Sequence, residues 1–170
     1  NMALNAATGR VYTWGDNTSG KLGDSTTTDA PYAKMITIGN PTVAISAIAA
    51  GEQFSMALDV NGNVWTWGDN ASDQLGINNG SVDSWLPVMV HGLGDVGFLS
   101  GITAIGAGED QALAAGSGGV VYSWGDSQAG ALGDGTIGTD KPYPVQVVTG
   151  SSGCAANLCN IIAVESGENH

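Results

Sequence analysis

The groups in this chain that could do chemistry are few, and their spacing decides what they are for. His91 and His170 are the only histidines, and Lys21, Lys34 and Lys141 the only lysines. Nucleophilic or acid–base catalysis needs a nucleophile, a base and an orienting acid within hydrogen-bond reach. No recurring combination of these residues supplies that set. Ser166–Gly167 lacks the Gly-x-Ser-x-Gly frame that presents a serine on a sharp strand-to-helix turn. His91 ends an apolar run and precedes Gly92, which reads as an exposed histidine at a strand end. Asp59–Val60–Asn61–Gly62–Asn63 places oxygens as a calcium loop begins, but Val64 stands where that loop needs glycine and the distal glutamate is missing. A hairpin turn explains the run. Asp134–Gly135 and Asp140 fall in a polar loop whose plain reading is solvated acids and whose sharper one is a weakly held ion. The chain is therefore expected to be non-catalytic, with no cofactor and no metal.

Two further sets of residues have informative positions. Glu52, Glu109 and Glu168 each follow a segment rich in Ala, Gly or Ser. If those segments line an axis, the three carboxylates ring one mouth of it, attractive to a cation or basic peptide. A solvated rim is the plainer reading. Cys154 and Cys159 are separated by four residues, a spacing that can close a small surface loop with a disulfide. Two cysteines without a nearby histidine cannot complete a four-ligand zinc site. The disulfide, with the acidity described below, points to an extracellular or cell-surface protein. No basic-then-apolar leader stands at the start of the chain, as in a mature secreted segment or an internal fragment.

Charge excludes some partners. Sixteen acids stand against four bases, for a net charge of −12 at pH 7. The acids concentrate in the middle: residues 54–110 hold no lysine or arginine at all. No basic patch exists to neutralise phosphates, so nucleic acid is not an expected partner. No apolar run reaches the ~18 residues of a membrane span, so insertion is not expected either. With 27 glycines among 170 residues, the composition suits short strands joined by tight turns better than helices.

The elements that must position these residues repeat. Val11–Tyr12–Thr13–Trp14–Gly15–Asp16, Val64–Trp65–Thr66–Trp67–Gly68–Asp69 and Val121–Tyr122–Ser123–Trp124–Gly125–Asp126 are one phrase, with tryptophans 53 and 57 residues apart. Each phrase is followed by Leu-Gly, at Leu22–Gly23, Leu75–Gly76 and Leu132–Gly133. A fixed period of this length marks a repeat architecture. A turn signal precedes each phrase, at Thr8–Gly9, Asn61–Gly62–Asn63 and Ser117–Gly118–Gly119, so each phrase is the second strand of a hairpin. After Leu-Gly comes a polar loop of varying length, then a proline (Pro31, Pro87, Pro144), then a short apolar strand over 35–38, 88–90 and 145–148. The period closes on small-residue strands ending at Gly51, Gly108 and Gly167. Each period thus holds four short strands, the content of one propeller blade. Repeats run over about 1–54, 55–111 and 112–170 of a single segment, in a register offset from the blades. Trp14, Trp67, Trp124 and the glycines after them (Gly15, Gly68, Gly125) are expected to be structural, holding each blade to its neighbour.

The order Gly-x-Val-Tyr/Trp-x-Trp-Gly, Leu-Gly, Pro, Ile-x-x-Ile-x-x-Gly resembles the repeat of the regulator of chromosome condensation family, in three copies over essentially the whole chain. The resemblance implies an all-β propeller segment of three four-stranded antiparallel blades, part of a larger propeller of about seven, with the remaining blades missing. It implies a non-catalytic scaffold that binds a protein partner. The acidic charge and paired cysteines favour the secreted, bacterial members. An inactive structural repeat of a large surface protein, an exchange-factor-like activity and enzyme inhibition are the alternatives. Partner contacts are expected where the repeats differ, on variable loops carrying Trp85 and Asp83, Tyr32 and Tyr143.

Overall fold

In a computed structural model the described residues are 1–39, 41–149, 158 and 160–167. They form eleven strands: β1 (Met2–Asn5), β2 (Arg10–Gly15), β3 (Ala30–Met35), β4 (Ile45–Ala50), β5 (Phe54–Asp59), β6 (Val64–Gly68), β7 (Ser84–Met89), β8 (Ile102–Ala107), β9 (Gln111–Gly116), β10 (Val121–Gly125) and β11 (Lys141–Gln146). Helix is limited to single 3-10 turns at Thr18–Gly20, Leu93–Asp95 and Gln128–Gly130.

The strands make three antiparallel meanders, β1-β2-β3, β4-β5-β6-β7 and β8-β9-β10-β11. The fold is all-β, as the repeat implies. The second and third sheets have the expected four strands, whereas the first has three. The cause lies in the pairing. The small-residue strand β4 closes the first sequence repeat but pairs with β5 of the second, Ile48 opposite Ala57. Likewise β8 pairs with β9, Ile105 opposite Ala114. Each sheet therefore takes its first strand from the preceding repeat, and β1 has no such partner among the described residues.

The hairpin turns require glycine. Gly62 adopts φ 83°, and a Cβ there would lie 3.2 Å from the Ile102 nitrogen at the start of β8. That crowding carries a bond between sheets, in which the Ile102 N–H donates to the Gly62 carbonyl at 3.0 Å. Ile45 donates to Gly9 in the same way at 2.9 Å. Small residues continue this approach inward: a Cβ on Gly51 would collide with the Gly108 carbonyl, and one on Gly108 with the Gly167 carbonyl.

The core lies between sheets. Val11, Ile36, Ile38, Ile45, Ala57 and Trp67 fill the space between the first and second. Phe54, Met56, Val64, Leu75, Ala114 and Trp124 belong to the larger cluster between the second and third. The outer strands begin earlier than their prolines suggested, at Ala30, Ser84 and Lys141, each paired with the glycine of a Trp-Gly phrase. Pro31 is thus level with Trp85 and Pro142, not with Pro87 and Pro144. The loops differ in length before the strand rather than within it, which hid this register.

Candidate interaction surfaces

The blade junctions rest on the tryptophans. Trp67 and Trp124 are fully buried. The Trp67 Nε1–H donates to the Lys21 carbonyl and the Trp124 Nε1–H to the Gln74 carbonyl, both at 3.0 Å. Each indole lies over the Leu-Gly of the preceding sheet. A Cβ on Gly23 would approach Trp67 Nε1 to 2.7 Å, and one on Gly76 would approach Trp124 Nε1 equally closely. Gly68 and Gly125, at φ 111° and 96°, bring the phrase against the carbonyls of Gln53 and Asp110. Trp14 and Gly15 hold the same register in β2, but both are only half-buried.

Each polar loop after the phrase is folded around one buried side chain. In the first sheet Asn17 Oδ1 accepts from the Leu22 N–H at 2.9 Å, while its Nδ2 donates to Asp24 Oδ1, Thr26 and the Thr28 carbonyl. Asn70 accepts from Leu75 N–H at 2.9 Å and donates to Asn79 at 2.8 Å. Ser127 takes this place in the third sheet, and its buried Oγ has no partner. The far end of each loop is clamped by an aspartate: Asp29, Asp83 and Asp140 accept from the backbone N–H of residues 17, 70 and 127 at 2.9, 3.0 and 3.1 Å. Asp83 therefore holds a loop common to all three repeats and does not distinguish the second. Alignment on these aspartates, rather than on prolines, would have shown the equivalence in the sequence. Asp24 is partly desolvated, which raises its pKa, but Lys34 at 2.8 Å and the bonds from Thr26 and Asn17 hold it down to about 2.

Carboxylates from different repeats gather near Asp110, where Asp69, Asp126, Glu52 and Asp140 all act on it. Glu52 and Glu109 line a groove of about 370 Å³ with Gly51, Gly108, Ser166 and Gly167. Glu168, the third carboxylate expected there, lies outside the described residues, as do Cys154 and Cys159. Beside this groove the two junctions differ in charge. At the first, Lys21 pairs with Asp16 and donates to Gln53 Oε1 at 2.7 Å. At the second, buried Gln74 stands in place of the lysine, and its Nε2 donates to Asp69 at 2.8 Å and to Asp110 at 3.0 Å. Burial pushes the Asp110 pKa up, and Asp69, Asp126, Glu52 and Asp140 push it further. Among the described residues no group of three or more His, Cys, Asp or Glu side chains is arranged to hold a metal. Asp59 accepts from Asn63, Trp65 and the Asn61 N–H; those bonds outweigh its burial, lower its pKa and leave it a hairpin residue.

Trp85, Tyr32 and Tyr143 lie on the outer strands β7, β3 and β11, not on loops. Tyr32 and Tyr143 occupy one repeat position and Trp85 the one before, so alternation along the strand sends Trp85 to the opposite face. The Trp85 ring lies against Gly20 of the first sheet, and its carbonyl accepts from the Ser25 N–H at 3.0 Å. Half of its surface remains open, at 48% exposure, with Leu86 at 52% and Val82 at 59%. Ser25, Asp83, Ser84, Trp85 and Leu86 line an open groove of about 320 Å³ on the rim between the two sheets. Tyr32 is 82% exposed.

Three matches to the Regulator of chromosome condensation (RCC1) repeat cover residues 8–58, 61–115 and 118–170. The chain belongs to this repeat family. The RCC1 repeats are 36% identical over 133 residues to the human E3 ubiquitin-protein ligase HERC2, covering 76% of this chain and 3% of that protein. Among solved structures, Prp20p from Saccharomyces cerevisiae superposes with a TM-score of 0.74 at 23% identity, covering 88% of this chain and 36% of the other. Human WBSCR16 gives 0.73 at 19% identity, covering 85% and 34%. These likenesses establish the propeller fold, of which this chain spans about a third.

Proposed function

We propose that this chain is a non-catalytic protein-binding scaffold that engages its partner at the rim groove built on Trp85 and Leu86. The observation that carries the reading is the state of Trp85. One face of its ring is fixed against Gly20 and its backbone is tied to Ser25, while half of the side chain faces solvent. An aromatic side chain held rigid before binding loses little conformational entropy on contact, which is why tryptophan recurs among residues that dominate interfaces. Tyr32 and Tyr143, on the outer strands β3 and β11, point to the other side of their strands from Trp85 and are secondary candidates. Relatives of this fold support the binding role: one structural report on Prp20p concerns its binding to Gsp1p and histones, and another shows yeast RCC1 (Prp20) bound to Kap60. Nuclear exchange or ligase activity is not carried over, since the matched positions are those of the repeat.

The test is a paired affinity capture with the wild-type chain and Trp85→Ala. A protein held by the wild type should bind the variant at least ~10-fold more weakly, as truncation of a central aromatic costs ~2 kcal/mol. The thermal unfolding midpoint should stay close to wild type. Equal capture by both chains rules out the rim groove. Turnover or nucleotide release that disappears when a single loop carboxylate is replaced rules out the non-catalytic reading.

A further inference from the structure

The rim groove between the first and second sheets is poorly suited to an added strand. Its wall is the outer strand β7, and Pro87 leaves that strand without one N–H. The Trp85 carbonyl already accepts from the Ser25 N–H at 3.0 Å, and the Leu86 carbonyl from Ser84 Oγ at 2.7 Å. An edge occupied in this way is a weak template for pairing with another chain. What enters the groove is therefore held by side chains.

Asp83 and Trp85 are placed to hold it. Two residues apart where β7 begins, both line the groove. Asp83 Oδ1 accepts from the Asn70 N–H at 3.0 Å, which fixes the carboxylate, and its Oδ2 has no hydrogen-bond partner among the described residues. The indole rests on Gly20, with its other side open to solvent. This combination belongs to one junction. Asp29 and Asp140 repeat the clamp, but Pro31 and Pro142 stand at the position of the aromatic.

The charge around the pair has one sign. Asp69 accepts from Ser19 Oγ at 3.3 Å, one residue from Gly20, and Asp73 accepts from Ser81 Oγ at 2.9 Å, one residue from Val82. Residues 54–110 contain no lysine or arginine. Lys21, Lys34 and Lys141 are engaged by Asp16, Asp24 and Asp134, so no ammonium group of these three answers Asp69, Asp73 or Asp83.

Resting on the rim groove as the partner site, we propose that it takes an arginine of the partner protein, with an aliphatic residue next to it. The guanidinium stacks on the open side of the Trp85 indole and donates to Asp83 Oδ2. The aliphatic neighbour covers Leu86. Arginine suits the site better than lysine, because its planar group stacks on an aromatic ring and sheds water more readily. An acidic segment is repelled by the surrounding carboxylates.

The test uses displayed random heptapeptides panned against the whole chain, keeping those that lose binding to Trp85→Ala. Arginine followed by Leu, Ile or Val should be enriched among them. In a synthetic copy of the best peptide, citrulline in place of arginine keeps the shape without the charge and should weaken binding ~10-fold or more. Lysine in its place should weaken it at least ~3-fold. Asp83→Asn keeps an Oδ1 acceptor for the Asn70 N–H and removes the charge. It should weaken the peptide ~10-fold and flatten the salt dependence of binding. Asp140→Asn makes the same change to the clamp of the third loop and should leave affinity unchanged, while both variants shift the unfolding midpoint alike. Trp85-dependent peptides that lack arginine, that bind equally well with lysine, or that bind Asp83→Asn as tightly as wild type overturn the arginine assignment while leaving the groove as the partner site. A library that yields no Trp85-dependent peptide overturns the groove itself.

Discussion

Ser127→Asn should stabilise this protein, and the size of the gain follows from comparing three loops. In the first, Asn17 accepts from Leu22 N–H and donates to Asp24 and two backbone carbonyls at 2.9 to 3.1 Å. In the second, Asn70 makes the same acceptance and one donation. In the third, the buried Ser127 Oγ has no partner. The surrounding groups are nonetheless the same: Asp134 Oδ1 accepts from Thr136 N–H and Oγ at 2.8 and 2.7 Å, as Asp24 does from Thr26. An asparagine would restore about two hydrogen bonds, each contributing ~1 kcal/mol net, and would remove a buried hydroxyl that costs about as much again. Allowing for the strain of a larger side chain, the expected gain is about 2 kcal/mol. For a chain of this size that raises the unfolding midpoint by about 4–8 °C. Calorimetry or urea unfolding at matched pH measures it. The reverse change, Asn17→Ser, should cost a similar amount. A Ser127→Asn chain no more stable than wild type, beside an Asn17→Ser chain that is destabilised, would show that the third loop has repacked around the serine. The equivalence of the three loops would then be refuted.

Two further outcomes follow from the junctions. Trp124→Phe keeps most of the ring but drops the bond to the Gln74 carbonyl and leaves that acceptor buried, so it should cost ~2 kcal/mol. Trp14→Phe should cost under ~0.5 kcal/mol, since its N–H meets no described acceptor, and urea unfolding of both variants separates them. Asp110 has a raised pKa in the folded chain, caused first by burial and then by Asp69, Asp126, Glu52 and Asp140. The folded state therefore holds this proton to higher pH than the unfolded state does, and the associated stability is lost as pH rises from the unfolded value of about 4 through the folded one. Asp110→Asn should flatten that part of the stability–pH curve and add about 0.5 kcal/mol at pH 7, a small figure because the group is partly solvated. A variant whose curve parallels the wild type over that interval would show that the carboxylate cluster is screened.

Much of the architecture was legible in the residues alone. The Trp-Gly-Asp phrase, the Leu-Gly that follows it and the glycine turns are local signals, because each is demanded by a backbone angle or a strand period within a few residues. The three-blade reading and the family resemblance came from these. The placement of the candidate site was less legible. Alignment of the repeats on their prolines places Trp85 on a loop, whereas the ladder sets Pro31 level with Trp85 and Pro142. Asp83 lines the rim groove, and its carboxylate also clamps the Asn70 N–H, a role that Asp29 and Asp140 share. In both cases the loop before the outer strand varies in length, and sequence spacing cannot report register across a variable loop.

By itself the sequence determined the central hairpins, the order of strands within them and the repeat that joins them, since those depend on neighbours a few residues apart; it did not determine the outer-strand bounds, nor that residues 161–167, expected as a strand, form none. Only the tertiary structure decided which strands share a sheet. Ile45–Ala50 closes one repeat along the chain yet pairs with Phe54–Asp59 of the next, because backbone hydrogen bonds are satisfied in space and not in sequence order. The same displacement leaves β1 with one strand partner, sets residues 161–166 beside β8, and turns three identical tryptophans into two buried junction residues and one that remains half open.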